Sequence, residues 1–263
     1  MTLREWQTHI VPKSEYIVQA STTDGLDGIT APSIGMCYTY VGFEETEETS
    51  KDQTKSLVMC AINTGTDQRR RGDNPLCRKT IAETLSNNGF ENTAIEKDKY
   101  FEELPKYRFV ISPEGNGIDC HRHYEALMAK CIPIVEDSAL IRAKYGNAPI
   151  LYTRDYSEIT QDYLEQKYAE MLDQRWDFSR LFMSSWSREE QLLIKYRGNF
   201  WCEKMAGRPW YIENVGSFGP SGPSAQINTY PFYDSNQVPC VYVLGMAKVQ
   251  LKSDDFVGEP HLN

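Results

Sequence analysis

One stretch of the chain, residues 112–125 (SPEGNGIDCHRHYE), concentrates side chains that could bind an anion. Gly115 and Gly117 favour a sharp turn, because glycine accepts positive φ and lets a ligand approach the backbone closely. Asp119 is predicted to be the N-cap of a helix that continues to Lys130. The free N–H groups and the dipole of a helix N-terminus both attract anions. The stretch therefore predicts a phosphate-binding turn.

Three side chains at the start of this predicted helix could complete the site. Arg122 supplies a cation for a diphosphate, and His121 supplies a hydrogen-bond donor for a phosphate or a sugar. Glu125 lies one turn beyond Arg122 on the same face, where it could accept hydrogen bonds from ribose hydroxyls. An ion pair between Glu125 and Arg122 is the structural alternative. Because His121 and His123 point in different directions, we expect no metal site.

A second basic stretch, residues 63–74 (NTGTDQRRRGDN), follows the apolar run of residues 57–62 and precedes a predicted helix. This position places it at the carboxyl edge of a sheet, where ligands bind in open α/β folds. Arg69, Arg70 and Arg71 could grip phosphate oxygens, since guanidinium groups stay charged and donate two hydrogen bonds at once. The sequence leaves open which of the three does so, and a solvated surface patch is the alternative for such a run.

Short apolar runs alternate with helical segments from residue 56 onward, which is typical of a parallel α/β sheet with right-handed crossovers. Residues 108–111 and 131–135 are apolar without alternation, as expected of strands that are covered on both faces. Glu136 and Asp137 follow the second run and could hold a sugar hydroxyl at the same edge. The predicted strands are 57–62, 92–95, 108–111, 131–135 and 149–152, and the predicted helices are 75–88, 100–104, 119–130, 139–145 and 160–172.

The segment SPEGNGIDCHRHYEAL followed by AKCIPIV resembles the donor-binding motif of exostosin-like glycosyltransferases, SPxGNGxDxHRxxEALxxGCIPIV. The similarity covers residues 107–135 closely and residues 57–171 loosely. It implies a GT-B-like architecture of two Rossmann-type halves, with inverting and usually metal-independent sugar transfer. One departure is Lys130, where the family commonly has glycine, and it concerns helix termination more than chemistry. The donor-binding residues that the resemblance implies are Ser112, Gly115, Asn116, Gly117, His121, Arg122 and Glu125.

We expect four regions along the chain. Residues 1–56 would form a reduced N-terminal acceptor-side region, with strands near 16–18 and 36–41 and a polar linker over 44–55. Residues 57–175 would form the Rossmann-type, nucleotide-sugar-binding domain. Residues 176–206 would form a long crossing helix, and residues 207–263 a C-terminal extension with a loop and strands near 240–244 and 246–251.

Composition excludes several classes of function. The net charge of −9 argues against nucleic-acid or anionic-membrane partners. No apolar stretch is long enough for a membrane helix, and the N-terminus has no signal-peptide core. Seven cysteines without regular spacing favour a reducing, cytoplasmic compartment over a disulfide framework. The resemblance correspondingly indicates a soluble form, as found in large DNA viruses, algae or bacteria.

The sequence therefore favours an enzyme that transfers a sugar from a UDP-sugar to a hydroxyl of a glycan or glycoprotein with inversion. The resemblance suggests xylose or galactose, and no cofactor or metal is expected. A GDP-fucose-dependent fucosyltransferase is an alternative within the same enzyme class. A non-catalytic nucleotide-sugar or glycan-binding protein is the alternative from another class, because the N-terminal region is reduced.

Inverting transfer requires a base within hydrogen-bond reach of the acceptor hydroxyl. Asp67 and Asp73 lie in the arginine-containing loop, and Asp73 is predicted to be the catalytic base because the helix that follows would hold its backbone. The alternative role for Asp73 is the N-cap of that helix. Asp24, Asp27 and Glu213 remain competing candidates.

Overall fold

The computed structural model describes residues 1–11, 15–19, 33–37, 55–72 and 74–187, together with strands at 201–204, 210–214, 232–233, 239–242 and 248–250. The chain forms two compact units. The first comprises Met1–His9 and Phe43–Phe178, and the second comprises Ile10–Gly42 and Ser179–Asn263. Within the described residues, no helix is both long and apolar enough to cross a membrane.

The elements alternate between helix and strand through most of the first unit. The described α-helices are α1 (Leu3–Thr8), α2 (Gln68–Arg71), α3 (Arg78–Asn87), α4 (Tyr100–Glu103), α5 (His121–Met128), α6 (Ala139–Tyr145) and α7 (Gln161–Leu172). The described strands are β1 (Ile17–Gln19), β2 (Ser56–Met59), β3 (Tyr107–Ile111), β4 (Ile132–Glu136), β5 (Leu151–Thr153), β6 (Trp201–Lys204), β7 (Trp210–Asn214), β8 (Phe232–Tyr233), β9 (Pro239–Tyr242) and β10 (Lys248–Gln250).

The first unit is built on a parallel four-stranded sheet with the order β2-β3-β4-β5. Phe109 pairs with Val58 on one side and with Ile132 on the other, and every residue of β4 is buried. The predicted α/β class with a parallel sheet is confirmed. Since parallel strands end on the same side, the loops that follow β2, β3 and β4 all lie at one carboxyl edge.

The strand predicted over residues 92–95 is wrong. The Asn92 side chain instead exchanges two hydrogen bonds with the backbone of Ile62, at 2.6 Å from its N–H and 3.0 Å to its carbonyl. The Thr93 N–H donates to the carbonyl of Cys60 at 2.9 Å. An amide side chain thus satisfies the backbone beyond β2, where a strand ladder was predicted.

The helix predicted over residues 119–130 is shorter, because α5 ends at Met128. The N–H of Cys131 donates to the carbonyl of Ala126, and the N–H of Lys130 donates to that of Leu127, which together form a Schellman motif. Lys130 has φ of 64°, a conformation that favours glycine. The departure from the family motif therefore falls on the residue that terminates the helix. The Lys130 ammonium lies 3.8 Å from the centre of the Trp6 ring.

Helix α1 belongs to the first unit, whereas the sequence-based prediction assigned it to the N-terminal region of residues 1–56. Thr2 and Glu5 close a capping box at its N-terminus. The buried Trp6 ring stacks on Phe178 at 4.2 Å, and its Nε1 donates to the carbonyl of Leu127 at 2.9 Å. Residues 1–9 are therefore part of the unit that contains the parallel sheet.

The second unit contains two antiparallel sheets, with the orders β1-β6-β7 and β10-β9-β8. The strands predicted near residues 16–18, 240–244 and 246–251 are present as β1, β9 and β10, whereas most of the strand predicted over 36–41 lies outside the described residues. The long helix predicted over residues 176–206 is wrong where the chain is described. Two single 3-10 turns, Ser179–Leu181 and Met183–Ser185, stand near its start, and β6 stands at its end. Aromatic residues suit a paired strand as well as a helix, and pairing with β1 and β7 decides the outcome.

Candidate functional site

The loops that follow β2 and β3 meet at the carboxyl edge of the sheet. Arg70, in α2, donates from Nε to the carbonyl of Gly115 at 3.0 Å. Arg78, at the start of α3, donates to the carbonyls of Pro113 and Glu114 at 2.9 and 2.7 Å. The structure thus brings the arginine-containing loop and the glycine-containing turn together, although 45 residues separate Arg70 from Gly115.

Two arginines and two glutamates form a network at this edge. Arg70 Nη2 lies 2.6 Å from Glu114 Oε2, and Arg71 Nη2 contacts the same oxygen. Arg71 Nη1 lies 2.8 Å from Glu136 Oε1 and also donates to the carbonyl of Leu76. Glu136 Oε2 accepts from the N–H of Glu114 at 3.0 Å. We call these four side chains, Arg70, Arg71, Glu114 and Glu136, the edge network.

In the edge network, burial and pairing with opposite charges shift the pKa values in opposite directions. Burial raises the pKa of Glu136 above its usual value, and the neighbouring Arg71 guanidinium only partly offsets this effect. For Arg71, burial would lower the pKa, but Glu136 and Glu114 outweigh it and raise the pKa. Arg71 is therefore a buried cation held by two carboxylates.

Of the other sequence-predicted residues in this loop, Arg69 lies in α2 with a side chain outside the described part, and Asp73 lies outside the described residues.

Arg78 is a site residue that the sequence reasoning missed. Its guanidinium is buried and fixes the backbone of the glycine-containing turn, while its own N–H donates to Asp67 Oδ2 at 2.9 Å. A cation in the first turn of a helix opposes the helix dipole, so its position could have signalled a tertiary role. A Cβ on Gly115 would lie 3.0 Å from Arg78 Nη2 and 3.3 Å from Cys120 Sγ.

The two glycines of the turn do not adopt the positive φ that was predicted for them. Positive φ occurs at Gly35, Gly72, Gly89 and Gly146 among the described glycines, but not at Gly115 or Gly117. Gly115 is instead closely packed, because a side chain there would be in tight contact with Arg78 and Cys120. Asn116 and Gly117 are exposed and His121 is half-buried, so these three predicted donor-binding residues form the accessible part of the turn.

Arg122, in the first turn of α5, is half-buried and lies beside the end of β2. Arg122 Nη1 donates to the carbonyl of Ala61 at 2.6 Å, and its guanidinium lies 5.4 Å from the centre of the Tyr100 ring. Burial would lower the pKa of Arg122, but Tyr100 and Glu125 raise it overall. Glu125, one turn further along α5, is buried. It contributes to the raised pKa of Arg122, which is consistent with the ion-pair alternative.

Asp119 does not cap α5, which corrects that prediction. The N-cap residue is Cys120, whose side chain makes no capping hydrogen bond. The Asp119 carboxylate accepts from the Tyr145 hydroxyl at 3.0 Å and lies 3.4 Å from the Lys144 ammonium. Asp119 therefore joins the loop after β3 to α6, because buried donors on α6 compete successfully for the carboxylate.

Ser112 is fully buried against His123. The Ser112 hydroxyl lies 2.7 Å from His123 Nδ1, and the carbonyl of Ile118 lies 3.3 Å from Nε2. A carbonyl can only accept, so we assign the proton to Nε2 and let Ser112 donate to Nδ1. Burial lowers the pKa of His123 from 6.5 to about 4. His123 is thus a neutral core residue that orients Ser112.

We expect His123 to make stability fall on acidification. The unfolded chain binds a proton at His123 below pH 6.5, whereas the folded chain binds it only near pH 4, so stability is lost as the pH falls between these values. Between pH 7 and pH 5 this loss should be about 2 kcal/mol. Urea unfolding of the parent and of His123→Gln at both pH values measures it. In His123→Gln the loss of unfolding free energy between pH 7 and pH 5 should be smaller by that amount. His9→Gln serves as a control for losing a histidine. A loss in His123→Gln equal to that of the parent would contradict the assignment.

Among the described residues, no group of three or more His, Cys, Asp or Glu side chains is arranged to hold a metal ion. Metal independence stays a prediction.

No protein-family model matches the chain, and no curated protein matches it either.

Proposed function

We propose that the chain is a glycosyltransferase that transfers a sugar from a UDP-sugar to a hydroxyl of a glycan acceptor with inversion, on a GT-B-like fold. One observation carries the proposal. The arginine-containing loop after β2 and the SPEGNG turn after β3 meet at the carboxyl edge of a parallel sheet. Ligands bind at this edge in open α/β sheets, so the motif and the cations stand where a donor would bind.

The chemistry of this edge suits a nucleotide diphosphate. Arg70 and Arg71 can donate bidentate hydrogen bonds to phosphate oxygens, and the N-terminus of α5 adds favourable N–H groups. Asn116 and Gly117 are exposed beside them, and His121 is half-buried. A UDP-sugar would place its diphosphate against Arg70, Arg71 and Arg122, and we assign the ribose hydroxyls to Glu125.

In the proposed reaction the acceptor oxygen attacks the anomeric carbon of the sugar, and the bond to the diphosphate breaks. The leaving UDP takes the bonding electron pair, and a carboxylate takes the acceptor proton. Guanidinium groups that face the diphosphate stabilise its growing negative charge, a role that a metal ion fills in other phosphate-binding enzymes. Xylose or galactose is the proposed sugar.

A cytoplasmic location is part of the proposal. The five cysteines whose side chains the structure describes, Cys37, Cys60, Cys77, Cys120 and Cys131, are all free. Free thiols fit a reducing compartment.

Calorimetric titration with UDP in the presence of a chelator tests the proposal. Arg122→Ala should lose at least about 2 kcal/mol of UDP binding, because a charged hydrogen bond to the nucleotide is removed. Arg108→Ala is a matched control, since Arg108 also stacks on a tyrosine, 4.8 Å from the centre of the Tyr168 ring, but near the amino end of β3. Its UDP affinity should equal that of the parent.

Four outcomes would contradict parts of the proposal. Unchanged affinity in Arg122→Ala would remove Arg122 from the site, and loss of UDP binding on chelation would refute metal independence. Binding of GDP in preference to UDP would favour a fucosyltransferase. Donor binding without transfer to any of a panel of glycans, and without hydrolysis of the donor, would favour a binding protein.

A further inference from the structure

We propose that Glu114 is a displaceable counterion in the donor site, and that its carboxylate occupies the position on Arg70 and Arg71 that a diphosphate takes. This inference rests on the phosphate site of the proposed function. It adds that the ligand must compete with a carboxylate of the chain itself. Glu114 therefore determines how tightly the site binds anions and favours ligands that present several phosphate oxygens.

The geometry around Glu114 Oε2 is that of an anion site. Guanidinium groups of both Arg70 and Arg71 converge on this single oxygen, with Arg70 Nη2 at 2.6 Å. Two guanidinium groups that meet on one oxygen form the arrangement that also binds a phosphate oxygen. The side chain of Arg70 is 33 % exposed, so the site is open to solvent on the side of Arg70.

Glu114 can leave without disturbing the arginines. Arg71 would keep Glu136 and the carbonyl of Leu76, and Arg70 would keep the carbonyl of Gly115. The backbone of Glu114 is held separately, because its N–H donates to Glu136 and its carbonyl accepts from Arg78. Rotation of the Glu114 side chain alone would therefore expose two preoriented guanidinium groups.

Glu136 is not equivalent to Glu114. It ends β4, its side chain is only 6 % exposed, and its two oxygens bind Arg71 and the Glu114 N–H. Its displacement would leave Arg71 and the turn without their anchor. The charges agree with this assignment, because the two arginines and the two glutamates of the edge network sum to zero. Departure of the Glu114 carboxylate leaves one positive charge for the incoming diphosphate.

Replacing the carboxylate by an amide tests the inference. Glu114→Gln keeps the size of the side chain but weakens its hold on the guanidinium groups, so the anion-competent state becomes more populated. Calorimetry with inorganic pyrophosphate, and separately with UDP, should show binding about tenfold tighter than in the parent. Glu103→Gln is the control for net charge, because it removes one negative charge from a surface pair with Lys106 and should change affinity very little.

A second comparison assigns the gain to the arginines. In an Arg70→Ala background, Glu114→Gln should raise the pyrophosphate affinity much less than it does in the parent. Should Glu114→Gln unfold, Glu114→Asp replaces it, since the shorter side chain reaches the guanidinium groups less well and should also tighten binding.

The inference would be overturned if Glu114→Gln bound pyrophosphate no more tightly than the parent does. An equal gain in Glu103→Gln would also overturn it. Tighter pyrophosphate and UDP binding without any sugar transfer would support the inference and would count against the proposed function alone.

Discussion

Replacing Arg71 with methionine is expected to lower the free energy of unfolding by about 3–5 kcal/mol. The side chains of Arg71 and Glu136 are only 8 % and 6 % exposed, and Arg71 Nη1 lies 2.8 Å from Glu136 Oε1. Methionine preserves most of the aliphatic volume but leaves the Glu136 carboxylate buried without its cation. The cost is therefore that of an uncompensated buried charge, which exceeds the net contribution of the pair itself. Equilibrium urea unfolding at neutral pH measures it.

Arg4→Met is the matched control for this experiment. Arg4 pairs with Asp173 at 2.7 Å, but both side chains are more than half exposed, so its loss should cost less than about 1 kcal/mol. Equal losses in the two variants would show that Arg71 does not hold a buried carboxylate. Adding Glu136→Gln to Arg71→Met should restore part of the stability, because no charge then remains buried at the end of β4.

The deficit of Arg71→Met should also depend on pH. Burial already raises the pKa of Glu136, and loss of the guanidinium should raise it further. A carboxyl group with a raised pKa in the folded state costs stability above that pKa, and protonation relieves the cost as the pH falls. The difference between parent and variant should therefore be smaller at pH 5 than at pH 8, and an opposite trend would contradict this account.

Under the proposed function, Asp73→Asn should reduce sugar transfer by at least about 10²-fold while leaving UDP affinity unchanged. Asparagine keeps the size of the side chain and removes its basicity. The competing role of Asp73 as the N-cap of the following helix does not apply, because α3 begins at Arg78 and its N-cap is Cys77. Release of UDP from UDP-xylose and from UDP-galactose, in the presence of a panel of glycans, measures transfer.

Asp67→Asn is the control from the same loop. Asp67 is 1 % exposed and accepts from the N–H of Arg78, so it serves the structure of the loop and cannot reach an acceptor. This variant should lose stability and retain most of its transfer. Full turnover in Asp73→Asn would move the base elsewhere, and Asp24, Asp27 and Glu213 would then be the next residues to replace. All three lie outside the described residues or have side chains that the structure leaves undescribed.

The sequence alone predicted the parallel sheet and the edge at which its loops meet. The runs over residues 108–111 and 131–135 are continuous and apolar, and such runs are stable only when both faces of a strand are covered. That requirement is local in the sequence and leads to parallel strands with a common carboxyl edge. The meeting of the arginine-containing loop with the SPEGNG turn follows from it.

Tertiary structure decided the partners of the polar side chains. Asp119 suited a helix cap by its position, yet it binds Tyr145 and Lys144 on α6. Asn92 satisfied the backbone beyond β2 where a strand was predicted, and β6 formed in a segment whose apolar spacing also suits a helix. In each case a partner distant in sequence competed with a local one, and a sequence pattern carries no information about which of them prevails.

The edge network shows most clearly which features the sequence determines and which depend on the tertiary structure. The sequence supplied three adjacent arginines and a glutamate at the end of a strand, but 65 residues separate Arg71 from Glu136. Their pairing depends on the order of the strands, on the burial of both side chains, and on Arg78, which holds the intervening turn. Charge type and approximate position are encoded locally, whereas burial and choice of counterion are properties of the assembled sheet edge, because only the folded chain excludes water from these groups.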